Sequence, residues 1–478
     1  MNTVAQVASS VHELVERAQL QDALRSVVRT VVGGITATGS VVLSEILRPQ
    51  VHREGLHAAE QRVSQALQTA GGLDKLPDAY LAMVAPVAHS LRFRSIDGSD
   101  LSKPAGRKFE YLDVIRDGSC KPRDRAVVGP DGVQASVARS ASQRRNEGKR
   151  RRRSNDSRRR QRPTRRAPRA RTEARAKARK ELKAARLKVP SPPALKKLGY
   201  WMVQIEASDG RGNHLPLLQD VFSTQDPGYQ ALGENAWTKT FQLALERVLE
   251  HIDRGGIWLI DRGFDDVAWM NWLPTMVDQH VIRLKSNRLV HPGTEEATAV
   301  NIGRFAETLV TQDTTQVRHV DKSTHEEKYR TIPFAWAPIW IDGVDHPMHL
   351  VVGHTGRKRP LLLVTNRRPE SPKEAGELVQ AYFERWGNEE VTRACKQLTG
   401  LEGIRVRKWQ AIRRLAWLAM IALGIQALSA LTRPRLRRAT LDRAKEFIHK
   451  VRFVLYRIWR VVQQDVLRAL EVRPLLLT

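Results

Sequence analysis

The sequence predicts an α/β protein in which a mixed sheet is flanked by helical regions at both ends of the chain, with a largely β stretch between residues 290 and 360. Three observations carry that prediction. The apolar runs LRFRSID and GIWLID each deliver an aspartate, Asp97 and Asp261, where a strand gives way to a glycine-containing turn. Two further apolar runs, in LGYWMVQIEASDGRGNHLPLLQDVFS, enclose the polar turn SDGRGN and read as a hairpin. Apolar residues at helical spacing cover the first ninety residues and return from Lys408 onward.

A chain of 478 residues can bury a sizeable core and hold more than one domain. Its 80 lysines and arginines against 51 acids give a formal charge of +29, which points to a polyanionic partner, nucleic acid first and an anionic membrane second. Cys120 and Cys395 form no CxxC pattern, so neither a disulfide framework nor a zinc site is indicated. The N-terminus lacks the basic start and apolar run of a secretory signal, and a cytoplasmic protein is expected. The run Leu415–Leu431 contains Gln426 and falls short of the ~20 residues that span a bilayer; it is expected to be a buried helix, with no membrane partner.

In chain order, residues Val4 to about Arg48 and His57 to Ala70 read as helices interrupted by proline and glycine. Asp97 follows, with Asp100 as a rival three residues on; DGSD is also a good turn sequence. Residues Ala138 to Lys188 hold 23 lysines and arginines against 4 acids. The first half of this block is too polar and self-repelling to fold alone, while TEARAKARKELKAARLK could form a basic helix. Phosphate neutralisation without sequence readout is the role such a segment suits, and a solvated spacer is the plainer one.

After the hairpin, a helix is expected from about Glu234 to Asp253, then the strand that ends at Asp261. Asp265 and Asp266 are expected to cap the next helix, and Arg283, Lys285 and Arg288 follow on a further strand segment. TIPFAWAPIWIDG, HPMHLVVGH and RPLLLVTNR read as strands. Trp336 and Trp340 suit either core packing or base stacking, and His346 with His349 makes only a weak metal pair.

The stretch AYFERWGNEEVTRACKQL then reads as a helix begun by Ser371 as cap and Pro372 in its first turn. At ~100° per residue, Tyr382, Arg385, Glu389 and Lys396 fall within about 60° of one another on one face. A carboxylate ringed by cations suits a metal and a phosphate; a solvated salt-bridge face gives the same pattern. Gly387 inside such a helix costs roughly 1 kcal/mol against alanine, so close packing there is expected.

The spacing of two, three and six residues between Tyr382, Arg385, Glu389 and Lys396 resembles the YREK signature of insertion-sequence transposases of the IS-four group, the group of the Tn-five transposase. The resemblance implies an RNase H-like mixed sheet and a DDE triad of Asp97, Asp261 and Glu389, with the KP-and-basic run after Asp97 agreeing and the arginine block departing from the family pattern. It further implies that the triad holds two Mg²⁺ or Mn²⁺ ions, and that Tyr382, Arg385 and Lys396 engage DNA. Three carboxylates are hard oxygen ligands suited to those metals.

The expected division is a helical DNA-binding domain at 1–90, the catalytic domain in pieces at 91–137, 194–289 and 361–407, and a helical C-terminal region at 408–478. Between the pieces fall the Arg-rich insertion at 138–193 and the β-rich insertion at 290–360. The implied activity is metal-dependent cleavage and strand transfer of a mobile element. Its partners would be terminal inverted repeats, target DNA and a second copy of the chain in a homodimeric synaptic complex, on the bacterial nucleoid. The competing reading is a non-catalytic, transposase-derived DNA-binding protein or inhibitor.

Overall fold

A computed structural model describes residues 3–50, 55–103, 108–116, 196–320, 327–356, 359–445 and 453–472. The arginine-rich insertion, Cys120 and most of the basic run after Asp97 lie outside the described residues. Contacts divide the chain into two units, 1–115 with 198–478, and 116–197. The first unit holds all the described helices and strands, apart from the strand ends at 116 and 196–197.

Five helices open the chain: α1 (Thr3–Arg17), α2 (Asp22–Thr38), α3 (Leu43–Leu47), α4 (Leu56–Thr69) and α5 (Leu76–Ala88). Helix α1 buries Val4, Val7, Val11, Leu14 and Val15, the three- and four-residue spacing of one apolar stripe. Helix α2 ends where Gly39 turns left-handed at φ 66° and its N–H closes on the Ile35 carbonyl, a glycine C-cap.

A twelve-stranded mixed sheet follows. Strand β1 (Phe93–Ser102) pairs antiparallel with β3 (Lys196–Ser208) and parallel with β5 (Ile257–Ile260), which pairs parallel with β6 (Gln279–Arg283). On the far side of β3 lie β2 (Asp113–Arg116) and β4 (His214–Phe222). The β3–β4 hairpin turns through Gly210 and Gly212 at φ 72° and 87°, as the SDGRGN turn predicts.

The stretch 290–360 does not stand apart from this sheet. Beyond β6 the order runs β12 (Leu361–Thr365), β11 (Met348–Gly353), β10 (Glu327–Trp340), β7 (Leu289–Pro292) and β8 (Val300–Asn301), with β9 (Asp313–Val320) on β10. The large mixed sheet with helical termini is compatible with an RNase H-like fold.

Helices cover both faces. After β4 come α6 (Pro227–Gln230) and α7 (Ala236–Leu249), the latter shorter at each end than its apolar pattern suggests; α8 (Val267–Met276) follows β5, and α9 (Ile302–Thr308) lies within the β-rich stretch. Helices α10 (Pro372–Glu384) and α11 (Trp386–Leu398) precede α12 (Trp409–Thr432), α13 (Pro434–Lys445) and α14 (Val454–Val472). Ser371 caps α10 by accepting from the Glu374 N–H, with Pro372 in the first turn. Helix α12 is long and apolar enough to cross a bilayer by length and composition, but it is buried against β4 and the N-terminal helices, as a core helix is.

The single helix expected through Tyr382 and Lys396 is in fact two, α10 and α11, which meet at Arg385. The break falls at Arg385, whose guanidinium reaches the acids of β1 and the end of β5. Tyr382 and Lys396 therefore lie on different helices.

Candidate active site

Alternation along β1 places Phe93 in the smaller core, under α10, and Ile96 in the larger one, so Asp97 shares the Phe93 face. Strand β5 runs parallel beside it with Ile96 opposite Ile260, which brings Asp261 next to Asp97 where β5 ends. All four β5 side chains are buried, so the strand is covered on both faces up to the acid at its end.

Arg385 fills the space between these acids and α11. Its Nη1 donates to Asp97 Oδ2 at 3.0 Å, its Nη2 donates to Glu389 Oε1 at 3.2 Å, and the same Nη2 lies 3.5 Å from Asp261 Oδ1. Tyr382 donates its hydroxyl to Asp261 Oδ1 at 3.2 Å. Asp97, Asp261, Glu389, Tyr382 and Arg385 thus form one cluster. Arg385 is almost fully buried, whereas the three acids are 22, 35 and 52 % exposed, which leaves an open acidic rim above a buried cation.

The electrostatics follow from this packing. Burial pushes the Asp97 carboxyl up to about 6; Arg385 opposes that, and the Asp261 and Glu389 charges reinforce it. Burial also pushes the Tyr382 phenol up to about 12, against the Arg385 charge. For Arg385 itself, burial disfavours the cation, but Tyr382, Asp261, Asp97 and Glu389 together outweigh it and hold the guanidinium above its ordinary value.

Lys396 stands apart from this cluster. Its Nζ lies 3.6 Å from Asp100 Oδ1 and 3.9 Å from Glu402 Oε1. Asp100 therefore sits with the lysine while Asp97 sits with the acids. Of the basic residues after β5, Arg283 reaches Tyr382, whereas Arg288 is tied to buried Asp265 at 2.5 Å. The backbone N–H of Lys285 also donates to Asp265, at 2.6 Å, so only Asp266 caps α8 and Asp265 is a buried ion-pair partner. Trp336 and Trp340 are partly buried on β10, and Trp336 packs near Phe334.

A second polar layer lies behind the acids, and no local pattern in the sequence announces it. Ser95 donates to Glu206 Oε1 at 3.2 Å, and Glu206 Oε2 lies 3.3 Å from His214 Nδ1, both acid and imidazole being buried. Burial works against a charged His214, but Glu206, with Glu384 and Asp209, raises it above its ordinary value. Gly387 was the signal available: a Cβ there would come within 1.9 Å of His214 Cε1. The close packing expected at that glycine is against a histidine ring.

Three carboxylates suit hard divalent cations. Asp97, Asp261 and Glu389 offer that donor set around the position of one buried cation, with the Asp97 charge disfavoured first by burial and then by its like-charged neighbours, so the residues present fit divalent metal. Their oxygens are spread around a guanidinium and do not crowd within one ion's shell. Among the described residues, the only three His, Cys, Asp or Glu side chains whose ligand atoms all lie within 4.8 Å of one another are Asp78, Glu250 and His251. In that group Asp78 is already held by Arg247 at 2.6 Å.

An acid from the middle of β1, one at the end of β5 and a helix glutamate thus meet on a mixed sheet. Strand β1 does not give way at Asp97 to the turn its DGSD sequence suggests, but runs on through Gly98 to Ser102 because β3 pairs with it along its whole length. Residues 231–425 match the family described as Transposase DDE domain. That span includes Asp261, Tyr382, Arg385, Glu389 and Lys396, excludes Asp97, and covers under half of the chain. The match supports a DDE transposase, a class that acts on DNA and generally uses divalent metals. Among curated proteins, none matches the chain.

Proposed function

We propose that this protein is a cut-and-paste DNA transposase of the IS-four group, in which Asp97, Asp261 and Glu389 are the catalytic triad and hold two Mg²⁺ or Mn²⁺ ions. The observation that carries the reading is the single guanidinium shared by three carboxylates that lie far apart in sequence. The domain match supports a DDE transposase in general, over a span that contains Asp261 and Glu389.

Divalent metal bound there would stabilise the attacking and leaving oxygens of an in-line displacement at phosphorus. The chain's own groups orient the reactants. Asp261 is held by the Tyr382 hydroxyl and Asp97 by Arg385, so neither carboxylate rotates freely. Arg385, with a planar fork of donors, and Lys396, a point charge, would engage phosphates of the transposon end, and Tyr382 would donate to phosphate or stack. For the buried Arg385 and Tyr382 this requires that they leave the carboxylates they hold here. The open rim formed by half-exposed Glu389 leaves room for a DNA backbone to approach. The substrate is DNA bearing the element's terminal inverted repeats, bound by a homodimer that also engages target DNA.

Glu389→Gln tests the assignment in a cleavage assay on duplex DNA carrying the terminal repeats, with Mg²⁺. Cleavage should fall at least about 10²-fold while binding to the same duplex persists. Undiminished cleavage would sink the triad.

A further inference from the structure

Glu389 and Asp97 come from elements that share no backbone hydrogen bonds, so their spacing depends on how α11 is seated on the sheet. Val391, Ala394, Cys395 and Leu398 bury its apolar face in the core, and two further side-chain contacts bear on its placement over β3 and β4. Thr392 donates to Gln204 Oε1 at 2.6 Å, and Gln204 is the cross-strand partner of Asp97. One turn earlier, the ring of His214 lies against Gly387 so closely that any Cβ there is excluded.

His214 is buried between an acid and an aromatic ring. Its Nδ1 faces Glu206 at 3.3 Å, Glu384 and Asp209 add negative charge nearby, and its ring packs on Phe453 with centroids 5.2 Å apart. Glu206 accepts from Ser95, its register partner on β1 and two residues before Asp97. A bulge between Ile205 and Glu206 shifts the β3–β4 register at this point, and bulges re-aim side chains next to working sites. The chain of contacts therefore runs from the Asp97 strand through Ser95, Glu206 and His214 to the backbone two residues before Glu389.

We propose that Glu206 and His214 are positioning residues, a buried strut that sets Glu389 against Asp97. The proposal rests on the reading of Asp97, Asp261 and Glu389 as the metal-holding set. A strut of this kind acts on metal affinity before any chemistry, since outer-shell partners of metal ligands typically affect affinity 10- to 100-fold.

The test is Mn²⁺ titration of the full chain, followed by the paramagnetic signal of the free ion, with far-UV circular dichroism as the check on folding. Glu206→Gln, His214→Ala and Gly387→Ala should each weaken Mn²⁺ binding about 10- to 100-fold while the spectrum is retained. His214→Gln stands in for His214→Ala if that variant does not fold. The double variant Gly387→Ala/His214→Ala should bind no more weakly than His214→Ala alone, because removing the ring makes room for the new Cβ. Unchanged Mn²⁺ affinity in the folded single variants, or losses that multiply in the double variant, overturns the strut and leaves the triad standing. Absence of Mn²⁺ binding by the unsubstituted protein overturns the metal reading, and the strut with it.

Discussion

Arg385 donates to Asp97 at 3.0 Å across most of the length of the chain, and the same guanidinium serves Glu389 and Asp261. A planar fork can satisfy several acids at once, which a point charge on a flexible stem cannot. Arg385→Met leaves the three carboxylates without their common cation. The expected loss of stability is about 1–3 kcal/mol, below the cost of breaking a fully buried pair because the acids are partly solvated. Urea unfolding with and without Mg²⁺ measures it. Added Mg²⁺ should recover more stability in Arg385→Met than in the unsubstituted chain, since a ligand that binds only the folded state stabilises it by mass action. An equal response in both would break the link between the guanidinium and the metal set. Arg385→Lys should recover only part of the loss.

His280 gives a prediction about acid. Its ring is wholly buried on β6, neither ring nitrogen has a hydrogen-bond partner among the described residues, and burial, with His346 nearby, pushes it down to about 3. The folded state therefore holds this imidazole neutral while the unfolded chain protonates it below its ordinary value near 6.5. Between those two values the unfolded state binds more protons, so stability is full above pH 6.5 and falls as the pH drops toward 3. The slope approaches about 1.4 kcal/mol per pH unit from this one group. Urea midpoints compared from pH 7 to pH 4.5 should show the unsubstituted chain losing stability relative to His280→Leu as the pH falls, whichever of the two is the more stable at pH 7. A pH-independent gap between them would show that His280 is not the acid-sensitive group.

How much of this was legible in the sequence depends on the range of the interaction that decides each feature. The strand that ends at Asp261 is local: an apolar run, an acid and a glycine suffice to place it, whereas β1 runs past Asp97 and Gly98 to Ser102 because β3 pairs with it throughout. The Ser371 cap and the SDGRGN hairpin are local too, and both form where their residues predict. The break at Arg385 is tertiary, because helical periodicity carries no record of a guanidinium drawn toward acids on two distant strands. The same holds for Lys396, which periodicity groups with Glu389 but which pairs with Asp100 and Glu402. His214 and Glu206 lie in a hairpin whose apolar pattern says only that they are inside. Gly387 alone hinted at them, as a glycine that helix propensity cannot explain.

Gly424 extends that lesson to the helix that holds the N-terminal bundle against the sheet. It sits inside α12, where glycine costs roughly 1 kcal/mol against alanine, yet a Cβ there would come within 1.9 Å of the Tyr80 hydroxyl oxygen. Tyr80 is fully buried on α5 and donates to the Pro216 carbonyl of β4 at 2.6 Å, and burial raises its phenol so that it stays a donor. Three elements therefore meet at one glycine. Gly424→Ala should gain helix propensity and still destabilise by about 1–3 kcal/mol, because overpacking displaces the ring and strands a buried carbonyl. Chemical denaturation of Gly424→Ala, Tyr80→Leu and the double variant measures the coupling. A smaller side chain at 80 removes the clash, so the double variant should be less destabilised than the sum of the two singles by at least about 0.5 kcal/mol. Simple additivity would place the cost of Gly424→Ala somewhere other than Tyr80.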